Sequence, residues 1–172
     1  SLSLDDEGNL WVIGFSSGIL MRDASTGHFQ TYSRENFPSL PSDLFYSCLH
    51  DDIGNLWLAS DMGLVLFNPD RGTVKVYEES SGILENNMRL GHLKLASGEF
   101  IFGFNSGAMS FDPSVVLRNE SVQKPVVTEF YIHDTPVGAD KYMAGGIDLS
   151  PQQRSFAFDF AVPKSELFVK YN

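Results

Sequence analysis

The sequence predicts an all-β protein, with a partial β-propeller of about three four-stranded blades followed by the beginning of a β-sandwich. Three observations lead to this fold class. The sequence repeats with a period of about 45 residues, each repeat divides into short strands bounded by turn residues, and the second strand of each repeat is apolar on both faces.

The repeat is visible in three related stretches of the chain. These are residues 5–23, 51–70 and 96–113. The glycines Gly8, Gly54 and Gly98 keep the spacing of about 45 residues, a period typical of propeller blades or of helical arrays. Because no segment carries apolar residues at helical spacing, the pattern favours blades.

Each repeat is predicted to contain four strands, with Gly, Asp, Asn, Ser and Pro at the junctions. The first strands are 2–4, 45–50 and 90–95. The second strands are 10–14, 56–60 and 100–104, and the third strands are 19–22, 64–67 and 108–111. The fourth strands are 28–32 and 73–77, and the third repeat shows no clear fourth strand.

The second strand decides between a one-sided sheet and a blade. Leu56 and Leu58 point to one side while Trp57 and Ala59 point to the other, whereas a one-sided sheet would alternate apolar and polar residues. Burial on both faces is expected of a blade packed between two neighbours. Trp57, like its counterpart Trp11, is therefore assigned to the core rather than to stacking on a sugar ring.

Three blades do not close a ring, since propellers have about four to eight. The blades at the two ends of such an arc would expose apolar faces, which promotes association. We therefore expect the chain to be a fragment of a larger protein, or to associate through its open faces.

The repeated sequence pattern ends near Pro113. We predict blades over 1–113, a linker over 114–125, and an incomplete sandwich domain over 126–172. In the last segment Phe156, Phe158 and Phe160 share one strand face, which predicts a buried aromatic layer.

Composition excludes several classes of protein. The 172 residues carry 22 acidic and 12 basic side chains, a formal net charge of −10, which argues against binding nucleic acid. Cys48 is the sole cysteine, so neither an intrachain disulfide nor a cysteine metal site is expected. Apolar runs fall short of the roughly 20 residues of a transmembrane helix.

The candidate ligand-binding residues are Ser16, Asp61 and Asn105, which lie between the second and third strands of successive repeats. They differ while the flanking strands keep their pattern, as expected of varied loops on a shared scaffold. The alternative is that they are ordinary solvated turns, and both interpretations stay open.

No catalytic residue, metal site or cofactor is predicted. The Asp5–Asp6 and Asp51–Asp52 pairs resemble calcium ligands, but their place before Gly-Asn favours turn-forming hydrogen bonds. The histidines have no shared ligand spacing; they are His28, His50, His92 and His133.

The repeats resemble the two-component regulator propeller repeat. The second repeat matches its pattern at Asp51, Gly54, Asn55, Leu56, Trp57, Gly63, Leu64, Phe67, Val74 and Tyr77. The first matches at Asp5, Gly8, Asn9, Leu10, Trp11, Gly18, Phe29 and Tyr32, and the third at Gly98, Phe102, Gly103, Asn105, Gly107, Phe111, Asp112 and Pro113. Ile101 stands in the third repeat where the others have Trp.

Residues 124–137 and 147–162 resemble the opening strands of the triple-tyrosine (Y_Y_Y) domain, which has an immunoglobulin-like fold.

This combination is similar to the periplasmic sensor region of hybrid two-component systems of Bacteroidetes. The resemblance implies the periplasmic portion of an inner-membrane, homodimeric receptor histidine kinase that senses oligosaccharides and regulates polysaccharide-utilisation genes. The fragment itself would contact no nucleic acid and perform no phosphoryl transfer. Two alternatives remain, a propeller enzyme of the lyase type and a protein-interaction scaffold.

Overall fold

The computed structural model describes residues 1–119, 126–138, 149–161 and 167–171. These residues form two compact units. The first unit contains residues 1–116 and 167–171, and the second contains the other described residues. Most of the regular structure is antiparallel β-sheet, so the predicted all-β class is confirmed.

The first unit consists of three four-stranded antiparallel sheets, with strands numbered along the chain. Sheet 1 contains β1 (Leu2–Leu4), β2 (Leu10–Ile13), β3 (Ile19–Arg22) and β4 (Phe29–Tyr32). Sheet 2 contains β5 (Phe45–His50), β6 (Leu56–Ser60), β7 (Gly63–Asn68) and β8 (Thr73–Tyr77). Sheet 3 contains β9 (Met88–Lys94), β10 (Phe100–Phe104), β11 (Ala108–Phe111) and β15 (Val169–Tyr171). A 3₁₀ helix spans Glu79–Ser81 and precedes sheet 3.

The three sheets have the predicted blade topology. In sheets 1 and 2 the strands pair in chain order, each with the next. The turn between the first two strands of sheet 2 is closed by backbone hydrogen bonds from Asp51 N to Asn55 O (3.0 Å) and from Gly54 N to Asp51 O (3.3 Å). Most predicted strand ends agree with the structure to within a residue. The largest shift is at β9, which begins at Met88 rather than at Leu90.

Sheet 2 is buried on both faces, as predicted. Every residue of β6 is buried, including Trp57 at 0% exposure. One face packs against sheet 1 through a shared apolar cluster of Trp11, Ile13, Ile19, Tyr32, Leu40, Phe45, Cys48, Leu56, Leu58, Val65 and Phe67. On the other face Trp57 contacts Phe111 of sheet 3, with ring centroids 5.0 Å apart.

The outer face of sheet 1 is open. Its exposed apolar side chains are Leu2, Leu4 and Phe29. In the register of the sheet, Leu2 lies opposite Val12 and Leu4 lies opposite Leu10. An end blade was predicted to show such a face, and the structure confirms it.

The fourth strand of sheet 3 differs from the prediction. Residues 126–172 were assigned to the second domain, but β15 pairs antiparallel with β11, in a register that sets Ser110 opposite Val169. Phe168 is 5% exposed and packs on Phe111 at a ring-centroid distance of 5.2 Å. The physical reason is that β11 offers an edge with free backbone groups, which a later strand satisfies.

The predicted linker is also partly regular, because residues Pro113–Asn119 form the helix α1. The Asp112 carboxylate accepts hydrogen bonds from the backbone N–H (2.8 Å) and the hydroxyl (2.7 Å) of Ser114. Such a cap stabilises the first turn of a helix. Within the described residues, no helix has both the length and the apolar character needed to cross a membrane.

The second unit contains a three-stranded antiparallel sheet in the order β13-β12-β14. Its strands are β12 (Val126–Ile132), β13 (Thr135–Val137) and β14 (Phe156–Ala161). His133 and Asp134, both at positive φ, form the two-residue turn between β12 and β13, as in hairpins whose turn twist matches the strands.

The aromatic face predicted in this unit forms, but it is not buried. Phe158 and Phe156 lie opposite Phe130 and Ile132 of β12. Phe156, Phe158 and Phe160 are all exposed. The expectation of burial was therefore wrong for the described residues, since these strands supply one layer and a sandwich needs two.

Candidate functional site

The three predicted ligand-binding residues occupy equivalent turns. Ser16 lies in the β2–β3 turn, Asp61 in the β6–β7 turn and Asn105 in the β10–β11 turn. All three turns lie at the end of the sheet where the second strand joins the third, and we call this end the turn end. Ser16 and Asn105 are exposed, and Asp61 is half-buried.

Asn105 is held in place by two charged side chains. The Glu85 carboxylate accepts hydrogen bonds from the backbone N–H groups of Asn105 (2.9 Å) and Ser106 (3.3 Å), and from the Ser106 hydroxyl (3.2 Å). Arg89 Nε donates to Asn105 Oδ1 at 2.6 Å. The Asn105 amide oxygen is therefore fixed, while the residue remains open to solvent.

Asp61 sits in a turn shaped by Ser60 and Gly63. The Ser60 hydroxyl donates to Gly63 O (2.7 Å) and accepts from Met62 N–H (3.1 Å). Asp61 Oδ1 is buried and has no hydrogen-bond partner among the described residues. A buried carboxylate oxygen left without a donor costs free energy.

Two further residues at the turn end were missed by the sequence analysis. The pairing of β5 with β6 is interrupted between Phe45 and Ser47, so that Tyr46 forms a β-bulge. The pairing of β9 with β10 is interrupted between Met88 and His92, where Arg89 lies. Bulges re-aim a side chain and are enriched next to active sites. No sequence signal marked Tyr46 or Arg89, because an interruption of pairing depends on the partner strand.

Tyr46 also contacts an aromatic side chain of the neighbouring sheet. Phe15, in the β2–β3 turn beside Ser16, meets the Tyr46 ring edge to face at a centroid distance of 5.7 Å. Phe15 is 61% exposed. The turn end therefore presents an aromatic pair as well as polar groups.

A second candidate lies at the opposite end of sheets 1 and 2, where the first two strands of each sheet are joined. A cleft of about 350 Å³ is lined there by six acidic residues together with Asn9, Trp11 and His50. The acidic residues are Asp5, Asp6, Glu7, Asp51, Asp52 and Asp70.

Two of these carboxylates are engaged in turn formation. Asp51 Oδ1 accepts from the backbone N–H of Asn55 (2.9 Å), and Oδ2 accepts from Asn55 Nδ2 (2.7 Å) and Trp57 Nε1 (2.9 Å). Asp5 makes the equivalent bonds to Asn9 (2.8 and 2.9 Å) and to Trp11 (2.8 Å). The interpretation of these two residues as turn-forming is confirmed.

The electrostatics of Asp5 follow from this geometry. Burial alone would raise the pKa of the Asp5 carboxyl, but the hydrogen bonds from Trp11, Asn9 and Glu7 together lower it below its ordinary value. The exposed carboxylate of Asp52 forms an ion pair with Lys94 Nζ at 2.8 Å.

The histidines do not converge. His50 Nε2 lies 2.8 Å from the Ser3 hydroxyl, which links sheet 2 to sheet 1, and burial lowers the pKa of the His50 ring. His92 Nδ1 lies 2.8 Å from Leu90 O in its own strand. Among the described residues, no group of three His, Cys, Asp or Glu side chains is arranged to hold a metal ion.

Comparison with known proteins gives one curated relative and several solved structures. No family model matches the chain. Over 128 residues the chain is 29% identical to histidine kinase P4 of Formosa agariphila, a match that covers 69% of this chain and 9% of that protein. The chain thus spans less than a tenth of the length of this relative.

Among the similar solved structures are extracellular domains of two proteins from B. thetaiotaomicron. That of BT3049, described as a hybrid two-component system, has a TM-score of 0.58 at 24% identity and covers 67% of this chain and 15% of its own. That of BT4673, described as a one-component or hybrid two-component system, has a TM-score of 0.54 at 23% identity and covers 66% of this chain and 16% of its own.

These matches agree with the resemblance found in the sequence. The relatives are a histidine kinase and the extracellular domains of two-component systems. The chain shares its fold with these extracellular domains.

Proposed function

We propose that the chain belongs to the periplasmic sensor region of a membrane-anchored hybrid two-component histidine kinase, and that its first unit binds an oligosaccharide at the turn end. Binding in the parent receptor regulates polysaccharide-utilisation genes. The fragment itself performs no phosphoryl transfer. The fold shared with bacterial extracellular domains supports this assignment.

The observation that carries the proposal is the contrast between constant strands and varied turns. Sheets 1 and 2 repeat the same turn, strand and tryptophan arrangement. The equivalent β2–β3, β6–β7 and β10–β11 turns carry Ser16, Asp61 and Asn105 at one end. Binding residues are often found on loops that a rigid scaffold positions.

The chemistry of the turn end suits a sugar. A sugar ring has an apolar face, which an aromatic side chain covers, and a rim of hydroxyl groups that need hydrogen-bond partners. Phe15 and Tyr46 supply the aromatic surface. Asp61 supplies a half-buried carboxylate, and Asn105 supplies a fixed amide.

Signalling requires only that the ligand favour one arrangement of the receptor over another. A ligand shifts such an equilibrium by its difference in affinity for the two states. In a homodimeric receptor the sensor region would thus change the population of the signalling state without performing chemistry.

The test is isothermal titration calorimetry of the chain with a panel of neutral, carboxylated and sulfated oligosaccharides. We expect saturable binding of at least one member. Asp61→Asn should weaken that binding about tenfold, because a charged hydrogen bond contributes roughly 1.5–3 kcal/mol. The matched control is Asp70→Asn, which removes an equal charge from the acidic cleft at the other end of sheet 2.

Two results would contradict the proposal. Failure of every panel member to bind would remove the sensing function. Binding that Asp70→Asn weakens and Asp61→Asn leaves unchanged would move the site from the turn end to the acidic cleft.

A further inference from the structure

We infer that the turn end recognises an acidic sugar, with Arg89 binding its carboxylate or sulfate group and Phe15 with Tyr46 stacking on a ring. The inference rests on the proposed oligosaccharide binding and names the class of ligand. It is carried by the hydrogen bonds of Arg89, by the charge around it, and by the aromatic pair, in which Phe15 is exposed and Tyr46 is half-buried.

Arg89 has unused donors. Its Nε donates to Asn105 Oδ1 at 2.6 Å, and its Nη1 donates to Asn87 Oδ1 at 2.6 Å and to Met88 O at 3.0 Å. A guanidinium group carries five N–H donors. The two N–H groups on Nη2 have no acceptor among the described residues, so they remain for a ligand.

The positive charge of Arg89 is also uncompensated. All three of its acceptors are neutral amide or carbonyl oxygens. The nearby Glu85 carboxylate bonds to Asn105 and Ser106 instead. In a chain with a formal net charge of −10, carboxylates are abundant, yet no described carboxylate pairs with this half-buried guanidinium.

An anionic ligand group would complete this arrangement. Carboxylate and sulfate oxygens accept two parallel N–H bonds from a guanidinium, which is stronger and more directional than a bond to a neutral oxygen. The bonds to Asn105 and Asn87 hold the guanidinium in one orientation before the ligand arrives, so less side-chain entropy is lost on binding.

Arg89 and the aromatic pair belong to one surface. Tyr46 and Arg89 both lie at interruptions of strand pairing at the start of the first strand of their sheets. These strands, β5 and β9, pack against each other. Phe15 reaches this surface from sheet 1 through its contact with Tyr46.

The aromatic pair should make the site favour an acidic sugar over a free inorganic anion. Inorganic sulfate would contact the guanidinium and gain nothing from Phe15, whose ring is 61% exposed. A uronic acid or sulfated sugar gains from both groups, because its ring stacks on an aromatic face while its charged group meets the arginine.

The experiment measures binding to the chain of four probes by calorimetry. The probes are an oligogalacturonide, a sulfated oligosaccharide, a neutral gluco-oligosaccharide of the same length, and inorganic sulfate. We expect an acidic oligosaccharide to bind at least tenfold more tightly than the neutral oligosaccharide and than inorganic sulfate, with an affinity that falls as salt is added.

Two pairs of variants locate the site. Arg89→Gln should weaken binding of the acidic probe about 10- to 100-fold, since a charge-assisted hydrogen bond contributes roughly 1.5–3 kcal/mol. Arg71→Gln removes the same charge from the β7–β8 turn and should leave binding unchanged. Phe15→Ala should weaken binding, whereas Phe29→Ala, at 63% exposure on the outer face of sheet 1, should not. Circular dichroism of each variant checks that it is folded.

The outcomes separate this inference from the proposed function. If the neutral probe binds best, or if Arg89→Gln binds the acidic probe as wild type does, the acidic-sugar assignment is overturned and oligosaccharide sensing stands. Inorganic sulfate binding as tightly as the acidic sugar would equally overturn it. If no sugar binds, both proposals fail.

Discussion

At the scale of single residues, the Asp-Asn-Trp arrangement explains why the repeat keeps these residue types. A carboxylate that accepts two hydrogen bonds from asparagine and one from the indole N–H satisfies a turn and a buried tryptophan together. In sheet 3 the aspartate and the tryptophan are both replaced. Leu95 stands where Asp51 would be and Ile101 where Trp57 would be, while the backbone bonds of the turn persist, from Leu95 N to Glu99 O (2.8 Å) and from Gly98 N to Leu95 O (2.9 Å).

The aspartate and the tryptophan are therefore expected to be energetically coupled. Asp51→Ala leaves the buried Trp57 N–H and the Asn55 amide without acceptors. We expect it to lower the free energy of unfolding by about 3 kcal/mol, because each buried polar group without a partner costs about 1–3 kcal/mol. Chemical denaturation with fluorescence detection measures the change.

The neighbouring carboxylate provides the control. Asp52 is exposed and pairs with Lys94, so Asp52→Ala should cost at most about 1 kcal/mol. In the Trp57→Phe background, Asp51→Ala should cost less than in the wild type. Equal effects of Asp51→Ala and Asp52→Ala would show that the indole hydrogen bond does not stabilise the fold.

At the scale of elements, strands were predictable because two independent signals coincide. Turn residues mark the strand ends, and apolar residues on both faces mark the central strands of a blade. The helix α1 was missed because its seven residues lie in a segment without apolar periodicity. The bulges at Tyr46 and Arg89 could not be predicted, since an interruption depends on the partner strand and leaves no pattern in either strand alone.

The candidate site was predictable only in part for the same reason. Equivalence within the repeat located Ser16, Asp61 and Asn105 on matching turns. Phe15 and Arg89 contribute through contacts with Tyr46 and Asn105. Neither of these pairs is marked by a sequence motif.

The turn that carries Asp61 depends on a glycine. Gly63 has a φ of 118°, and a Cβ at this position would clash with the backbone oxygen of Tyr77. Gly63→Ala therefore combines backbone strain with a clash against a backbone atom that cannot move aside. We expect it to lower the free energy of unfolding by more than about 2 kcal/mol, measured by denaturant titration.

Gly72→Ala separates the two contributions. Gly72 also has a positive φ, of 63°, but no atom lies within 4 Å of the position that its Cβ would take, so its replacement should cost only about 1 kcal/mol. If the two variants are equally stable, the close approach of Gly63 to Tyr77 is not a constraint on the β6–β7 turn.

At the scale of the whole molecule, the chain returns to its first unit after passing through the second. Strand β15 follows the second unit in sequence but completes sheet 3. Sequence analysis could not anticipate this, because a strand of three residues carries too little pattern to name its partner. The backbone groups on the edge of β11, rather than the order of the chain, determine where β15 pairs.

Phe168 directly precedes β15 and is buried against the first unit, so its replacement tests whether this segment belongs to sheet 3. Its ring packs edge to face on Tyr77 (5.7 Å) and Phe111 (5.2 Å), and its side chain is 5% exposed. Phe168→Ala should lower the free energy of unfolding of the first unit by about 3–5 kcal/mol, as expected for removal of a buried phenylalanine. Tyr171→Ala in β15, at 52% exposure, should have a far smaller effect.

Trp57 contacts both Tyr77 and Phe111, so its fluorescence reports unfolding of this region. If Phe168→Ala and Tyr171→Ala shift that transition equally, the end of the chain is not part of sheet 3, and the boundary first predicted from the sequence, with residues 126–172 in one domain, would be the better description.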